Sequence, residues 1–194
     1  MPLVDRSDSL LAVVDVQPGF YDEPEMTGGE RAEAAAAVDR VAWLAGLAAM
    51  VDVPVVVVEE GPERNGATAP QVLEPLGPNL AVHAKTTFSL TACSAAVDAI
   101  RATGRGTVVV VGFETDVCVA QSAVGLRDLG LRTVVVEDAT YSRGERQRRG
   151  LARMTQAGVE YNHLKGLVFE WLHTVAYAEE MLARAIERLG PFPP

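Results

Sequence analysis

Three side chains in this 194-residue sequence are of a type and at a position that could do chemistry: Asp15, Lys85 and Cys118. Cys118 follows the apolar run TVVVVGF by way of Glu114, Thr115, Asp116 and Val117, at the opening of a helical pattern. Unpaired backbone N–H groups and the positive end of a helix dipole favour thiolate at such a place. Gly112 permits a sharp turn, and Thr115 and Asp116 offer oxygens for capping the helix, so the local pattern is strand, tight turn, helix. This parallels a nucleophile elbow, although no G-x-S-x-G is present. The bland alternative is an inert buried thiol. Asp15 comes straight after the core residues of LLAVVDVQ and suits either a base or the cap of the next segment. Lys85, in HAKTTFS, is either an ordinary surface lysine or a cation beside those two groups. Among the three histidines, His83 is the nearest rival base, since in an extended segment it points the same way as Lys85; His163 and His173 fit surface or core-edge positions.

For these residues to meet, the chain must carry them to one edge of a sheet. Continuously apolar strand-length runs alternate with longer helical stretches, the pattern of an α/β domain whose parallel sheet is covered on both faces. Strands are expected at residues 10–16, 53–59, 80–84, 107–113, 133–138 and 159–162. Helices are expected at residues 30–50, 92–102, 115–129 and 145–157. A C-terminal helix is expected from about 167 to 189, with Trp171, Leu172, Val175, Ala178, Leu182, Ala185, Ile186 and Leu189 on one apolar stripe facing either the sheet or a partner subunit. In such sheets ligands bind beyond the carboxyl ends of the strands, where the strand order reverses. Residues 1–194 thus read as a single domain.

The composition, 48% hydrophobic and 22% charged, is that of a globular chain. A formal charge of -9 argues against a nucleic-acid partner, and the basic cluster from Arg143 to Arg149 reads as a solvated helix start. The longest apolar runs fall short of the roughly 20 residues of a membrane span, so no membrane partner is expected. The N-terminus lacks the layout of a signal peptide, and two cysteines, Cys93 and Cys118, make neither a disulfide scaffold nor a metal motif. A cytoplasmic location is the expectation.

The order of Asp in DVQ, Lys in KTTFS and Cys in GFETDVCVAQSA resembles the isochorismatase-like cysteine hydrolase superfamily, which includes nicotinamidases, N-carbamoylsarcosine amidohydrolases and biuret hydrolases. The resemblance runs from about Leu10 to about Lys165. It implies a three-layer α-β-α, Rossmann-like fold with a six-stranded parallel sheet of order 3-2-1-4-5-6. It further implies a catalytic triad of Cys118, Asp15 and Lys85, a cis peptide at Phe113–Glu114, and an oxyanion hole made by the backbone N–H groups of Glu114 and Cys118. Members are commonly homo-oligomers.

Two departures from the family pattern bear on activity. Nicotinamidases carry a metal-binding D-x-H with further histidines after the second strand, whereas this chain reads EEGPERNG there, so no metal and no cofactor are expected. Isochorismatases proper cleave a vinyl ether without a thiol, so Cys118 turns the reading toward a small-molecule amide, ureide or related C–N bond, hydrolysed through a thioester. An ether hydrolase using Asp15 as general acid, and a non-catalytic binding module, remain the alternatives. Glu59, Glu60, Tyr21 and Phe88 are candidates for the pocket wall or for ordinary surface and core.

Overall fold

The computed structural model describes residues 2–194. Six parallel strands, β1 (Ser9–Val14), β2 (Val55–Glu60), β3 (Val82–Lys85), β4 (Thr107–Phe113), β5 (Arg132–Tyr141) and β6 (Glu160–Asn162), form one sheet in the order β3-β2-β1-β4-β5-β6. The helices are α1 (Pro18–Tyr21), α2 (Gly28–Met50), α3 (Pro62–Asn65), α4 (Pro70–Leu73), α5 (Ser94–Ala102), α6 (Ala120–Asp128), α7 (Glu145–Gln156), α8 (Leu164–Leu172) and α9 (Val175–Leu189). No helix among the described residues is long and apolar enough to cross a membrane.

Because side chains alternate along a strand, each strand feeds two cores. Leu11, Val13, Val57, Val109, Val111 and Val134 pack with residues of α2, α8 and α9 on one face. Leu10, Ala12, Val14, Val56, Val58, Val108, Val110 and Cys118 pack with residues of α5, α6 and α7 on the other. Burial on both faces explains why the central strands read as unbroken apolar runs. Strand order reverses between β1 and β4, which places the ends of these two strands side by side at the switch point.

The expected single helix over 167–189 is two helices. α8 ends at His173, whose φ of 61° no helix continues through, and Thr174 caps α9 by accepting from the Tyr177 N–H. The break also corrects the stripe. Val175 falls in the first turn of α9 and is 76% exposed, and Ile186 is exposed too, while Trp171, Leu172, Ala178 and Ala185 are buried in the core shared with α2. The stripe is therefore largely satisfied within the chain.

Candidate active site

At the switch point the backbone turns twice within a few residues of each strand's end. Past β1, Asp15 adopts φ 51° while its N–H donates to Val58 O at 3.1 Å, so the chain bends but stays attached to β2. At the end of β4, Gly112 has φ 123°, and a Cβ there would overlap the Val14 carbonyl oxygen; only glycine lets the two strand ends close up. The peptide between Phe113 and Glu114 is cis. Residues Thr115–Val119 then form one π-helical turn before α6, with the Glu114 carbonyl accepting from the Val117 and Val119 N–H groups. Glu114 and Cys118 thus belong to one turn.

Lys85, the last residue of β3, extends inward and donates to Asp15 Oδ2 at 2.6 Å, to Thr87 O at 2.9 Å and to Phe88 O at 3.1 Å. Its three ammonium protons are thereby matched by three acceptors. Asp15 is fully buried, and Lys85 and Cys118 nearly so. Asp15 Oδ1 is also buried and accepts no hydrogen bond of ordinary geometry. The Cys118 thiol lies beside that carboxylate, beyond full hydrogen-bond contact but close enough for each group to shift the other's ionisation. The structure therefore gathers Asp15, Lys85 and Cys118 into one cluster. His83, on β3 opposite Val58, and the exposed His163 and His173 stay outside it. A surface cavity of about 580 Å³ between residues 2–7 and 170–177 contains none of the three.

Burial pushes the Asp15 carboxyl up from the ordinary 3.8 to about 6, against the pull of Lys85. Burial also raises the Cys118 thiol far above its ordinary value, and the Asp15 charge adds to the rise while Lys85 opposes it. A helix start and a neighbouring cation favour thiolate and a neighbouring carboxylate opposes it; here burial and the carboxylate prevail. The positive end of a short π-turn does not offset the loss of water and a carboxylate alongside. Both effects on Cys118 act to keep the proton on its sulfur.

The capping role expected of Thr115 and Asp116 is also corrected, since neither caps α6. Thr115 Oγ1 donates to Gln147 Oε1 at 2.6 Å, and Asp116 Oδ1 accepts from Ser142 Oγ at 2.7 Å. The Ser142 N–H completes the bracket by donating to Gln147 Oε1 at 2.8 Å. Gly150 lets α7 approach, because a Cβ there would lie 2.7 Å from the Asp116 Cα. Ser142 and Gln147 thus tie the turn carrying Cys118 to β5 and α7, a role that nothing in their local sequence signals. The basic cluster is partnered in the same region: Arg143 pairs with Glu23 and Glu30, and Arg146 lies 3.9 Å from the Glu114 carboxylate. Glu114 is held above the usual carboxyl range by partial burial and then by Asp116.

Among the pocket candidates, the Glu59 carboxylate accepts from the Thr68 N–H at 2.6 Å. The Tyr21 ring lies 6.0 Å from that of Phe113, and Phe88 is exposed beside the carbonyl that receives Lys85. Glu60 and Gln17 join the cluster's border. Gln17, fully buried, donates through Nε2 to Glu60 O at 3.2 Å and to Gly66 O at 2.5 Å, and its Oε1 accepts from the Glu60 N–H at 2.8 Å. It fastens the loop after β2 to the end of β1.

Residues 9–162 match the family model described as the isochorismatase domain. Isochorismatase domain-containing protein 2 of Bos taurus is 35% identical over 136 residues, covering 69% of this chain and 64% of that protein. The Homo sapiens protein of the same name is 34% identical over 130 residues, covering 64% of this chain and 59% of its own length. The chain thus spans under two thirds of these curated relatives. Among solved structures, YcaC from Escherichia coli, described as an octameric hydrolase of unknown specificity, superposes with a TM-score of 0.80 at 23% identity over 97% of this chain and 93% of that one. YcaC from Pseudomonas aeruginosa, solved with hexane-2,5-diol and covalent acrylamide, gives 0.79 at 22% identity over 96% and 93%. At that identity the likeness is one of fold.

Proposed function

The chain belongs to the isochorismatase family, and on that premise we propose that it hydrolyses a small amide, ureide or related C–N bond through a thioester on Cys118. One observation carries the reading: Lys85 fixes Asp15 through Oδ2 and leaves Oδ1 buried and unpaired, in a carboxylate near enough to Cys118 to shift its ionisation. A carboxylate oxygen in that position is an acceptor waiting for the thiol proton.

In the proposed cycle the Cys118 proton passes to Asp15 as sulfur bonds to the substrate's carbonyl carbon. The Glu114 and Cys118 N–H groups receive the oxyanion. The C–N bond then breaks, and the proton on Asp15 goes to the departing nitrogen. A water gives a proton to the freed Asp15 and attacks the thioester, and the C–S bond breaks with return of that proton to sulfur. Lys85 stays charged throughout and keeps the carboxylate oriented. The deciding experiment is a panel of small amides and ureides assayed for released ammonia or amine. Turnover of at least one is the expected result, and no turnover across the panel would refute the reading.

Two further expectations belong to this reading. Activity is expected to survive chelation and dialysis undiminished, because the stretch at the end of β2 and just beyond it, EEGPERNG, holds no histidine. Loss of activity with EDTA and its return with a divalent metal would contradict this. We also propose a homo-oligomer. Leu3, Phe169, Val175 and Ile186 are exposed apolar side chains around α8 and α9, and a closed assembly would cover such residues. Light scattering at micromolar concentration is expected to give a multiple of the monomer mass, and a monomeric mass would count against it.

A further inference from the structure

A second carboxylate borders the cluster and takes no step in the cycle above. Val56 and Val58 of β2 point into the core that contains Cys118, so alternation puts Glu60 on that same face at the strand's end. There it sits directly across from Lys85 of β3. Gln17 grips the Glu60 backbone from both sides, which holds the residue in register with the end of β1. Its side chain is nearly buried and closed off from solvent by the next turn of chain. Arg64 Nη2 donates to both carboxylate oxygens, at 2.7 and 2.9 Å, and Asn65 Nδ2 donates to Oε2 at 2.6 Å. The Arg64 side chain is 70% exposed, so the pair has one buried end and one wet end.

From this geometry we propose that Glu60 is a positioning residue that restrains ionisation of the Cys118 thiol, and that Arg64 governs how strongly Glu60 does so. The charged and titratable groups facing Glu60 are Asp15 beyond β1, Lys85 on β3, Cys118 on the π-turn, and Arg64 on α3; His83 lies two residues farther down β3, opposite Val58. Glu60 is a negative charge facing a carboxylate and a thiol, and it disfavours the anionic form of both. It adds to what burial and the Asp15 charge do to keep the proton on Cys118. Arg64, placed at the solvent end, offsets part of that field. The chain has therefore put a charge-setting ion pair in the segment where nicotinamidases place metal ligands. The proposal rests on the reading of Asp15, Lys85 and Cys118 as a catalytic unit.

The test is the rate of iodoacetamide labelling of Cys118 at fixed mildly alkaline pH, read by peptide mass spectrometry with Cys93 as internal reference. Below its pKa a thiol reacts in proportion to its thiolate fraction. Removing a like charge, in Glu60→Gln, is expected to speed Cys118 labelling by about three- to fivefold, and Arg64→Ala, whose charge is mostly exposed and screened, to slow it by a smaller factor of about two to three. Asn65→Ala removes a bond to Glu60 without changing charge, and is expected to leave the rate within about twofold. A purely structural role for the loop would make all three variants move together. That outcome, or unchanged rates in both charge variants, overturns the proposal. Opposite shifts in a wild type that hydrolyses no amide would uphold the effect of the pair on Cys118 and overturn only the amide reading.

Discussion

Replacing Cys118 by alanine is expected to lower kcat for amide hydrolysis by about 10⁴-fold or more, to the level left by binding and the oxyanion donors. The size follows from what the thiol does: with no sulfur there is no covalent intermediate, and Asp15 has no proton to accept. Cys118→Ser is expected to fail nearly as badly, because a buried hydroxyl beside the Asp15 carboxylate is harder still to ionise. The side chain is small and lies in the core face with Val119, Ala120 and Ala123, so either change should leave the fold in place. The same variant separates the ether-hydrolase alternative. A carboxyl held at about 6 can serve as a general acid near neutral pH, and protonation of a vinyl ether needs no thiol. Undiminished ether cleavage by the alanine variant, together with no amide turnover by wild type, would move the assignment to that chemistry.

The two partners of Cys118 are expected to act on it with opposite sign. Lys85→Met removes the cation that favours thiolate and should slow iodoacetamide labelling of Cys118, whereas Asp15→Asn removes a neighbouring negative charge and should speed it. Hydrolysis is expected to be lost in both. Labelling profiles against pH for the two variants and the wild type, with Cys93 as reference, decide the matter; coincident profiles would dissolve the triad. The stability effects differ as well. Lys85→Met strands a buried carboxylate, a change expected to cost about 3–5 kcal/mol. Asp15→Asn keeps an acceptor for Lys85 and removes a pH dependence of known sign. The folded chain holds the Asp15 proton up to about pH 6, the unfolded chain only to about 3.8, so the stability this contributes is full below pH 3.8 and lost as pH rises through 6. Wild type should therefore lose stability relative to the asparagine variant across that interval, measured by denaturant unfolding. The same ionisation should place the acid limb of kcat/KM near pH 6.

The strands were legible because burial on both faces demands unbroken apolar runs, and those of β4, β1 and β2 are hard to mistake. β5 runs on to Tyr141, past the expected end at 138, because a register shift between Val110 and Gly112 of β4 lets the pairing resume at Thr140 and Tyr141. The C-terminal helix was misread for a different reason. Apolar spacings of three and four continue across His173 and Thr174, and periodicity takes no account of a single residue at positive φ. The signal that was present, Thr174 as an N-cap three residues before Tyr177, carries less weight in a periodic pattern than it does in the backbone.

By itself the sequence determined the layers and the candidate residues, because hydrophobic period and residue type at strand ends are local properties, whereas the strand order was implied only by the family resemblance and is set by the pairing of the folded strands. Tertiary structure alone decided the ionisation of the site and what holds it in place. A helix start favours thiolate at Cys118 and a nearby Asp15 opposes it, and which prevails could not be read locally, since burial and the Asp15 charge depend on residues 70 and 103 positions apart along the chain coming together. The roles of Gln17, Ser142 and Gln147, and the pairing of the pocket candidate Glu60 with Arg64, went unread for the same reason. Each acts through hydrogen bonds or charge at distances of 2.5–3.5 Å, and only the folded chain sets which groups come that close.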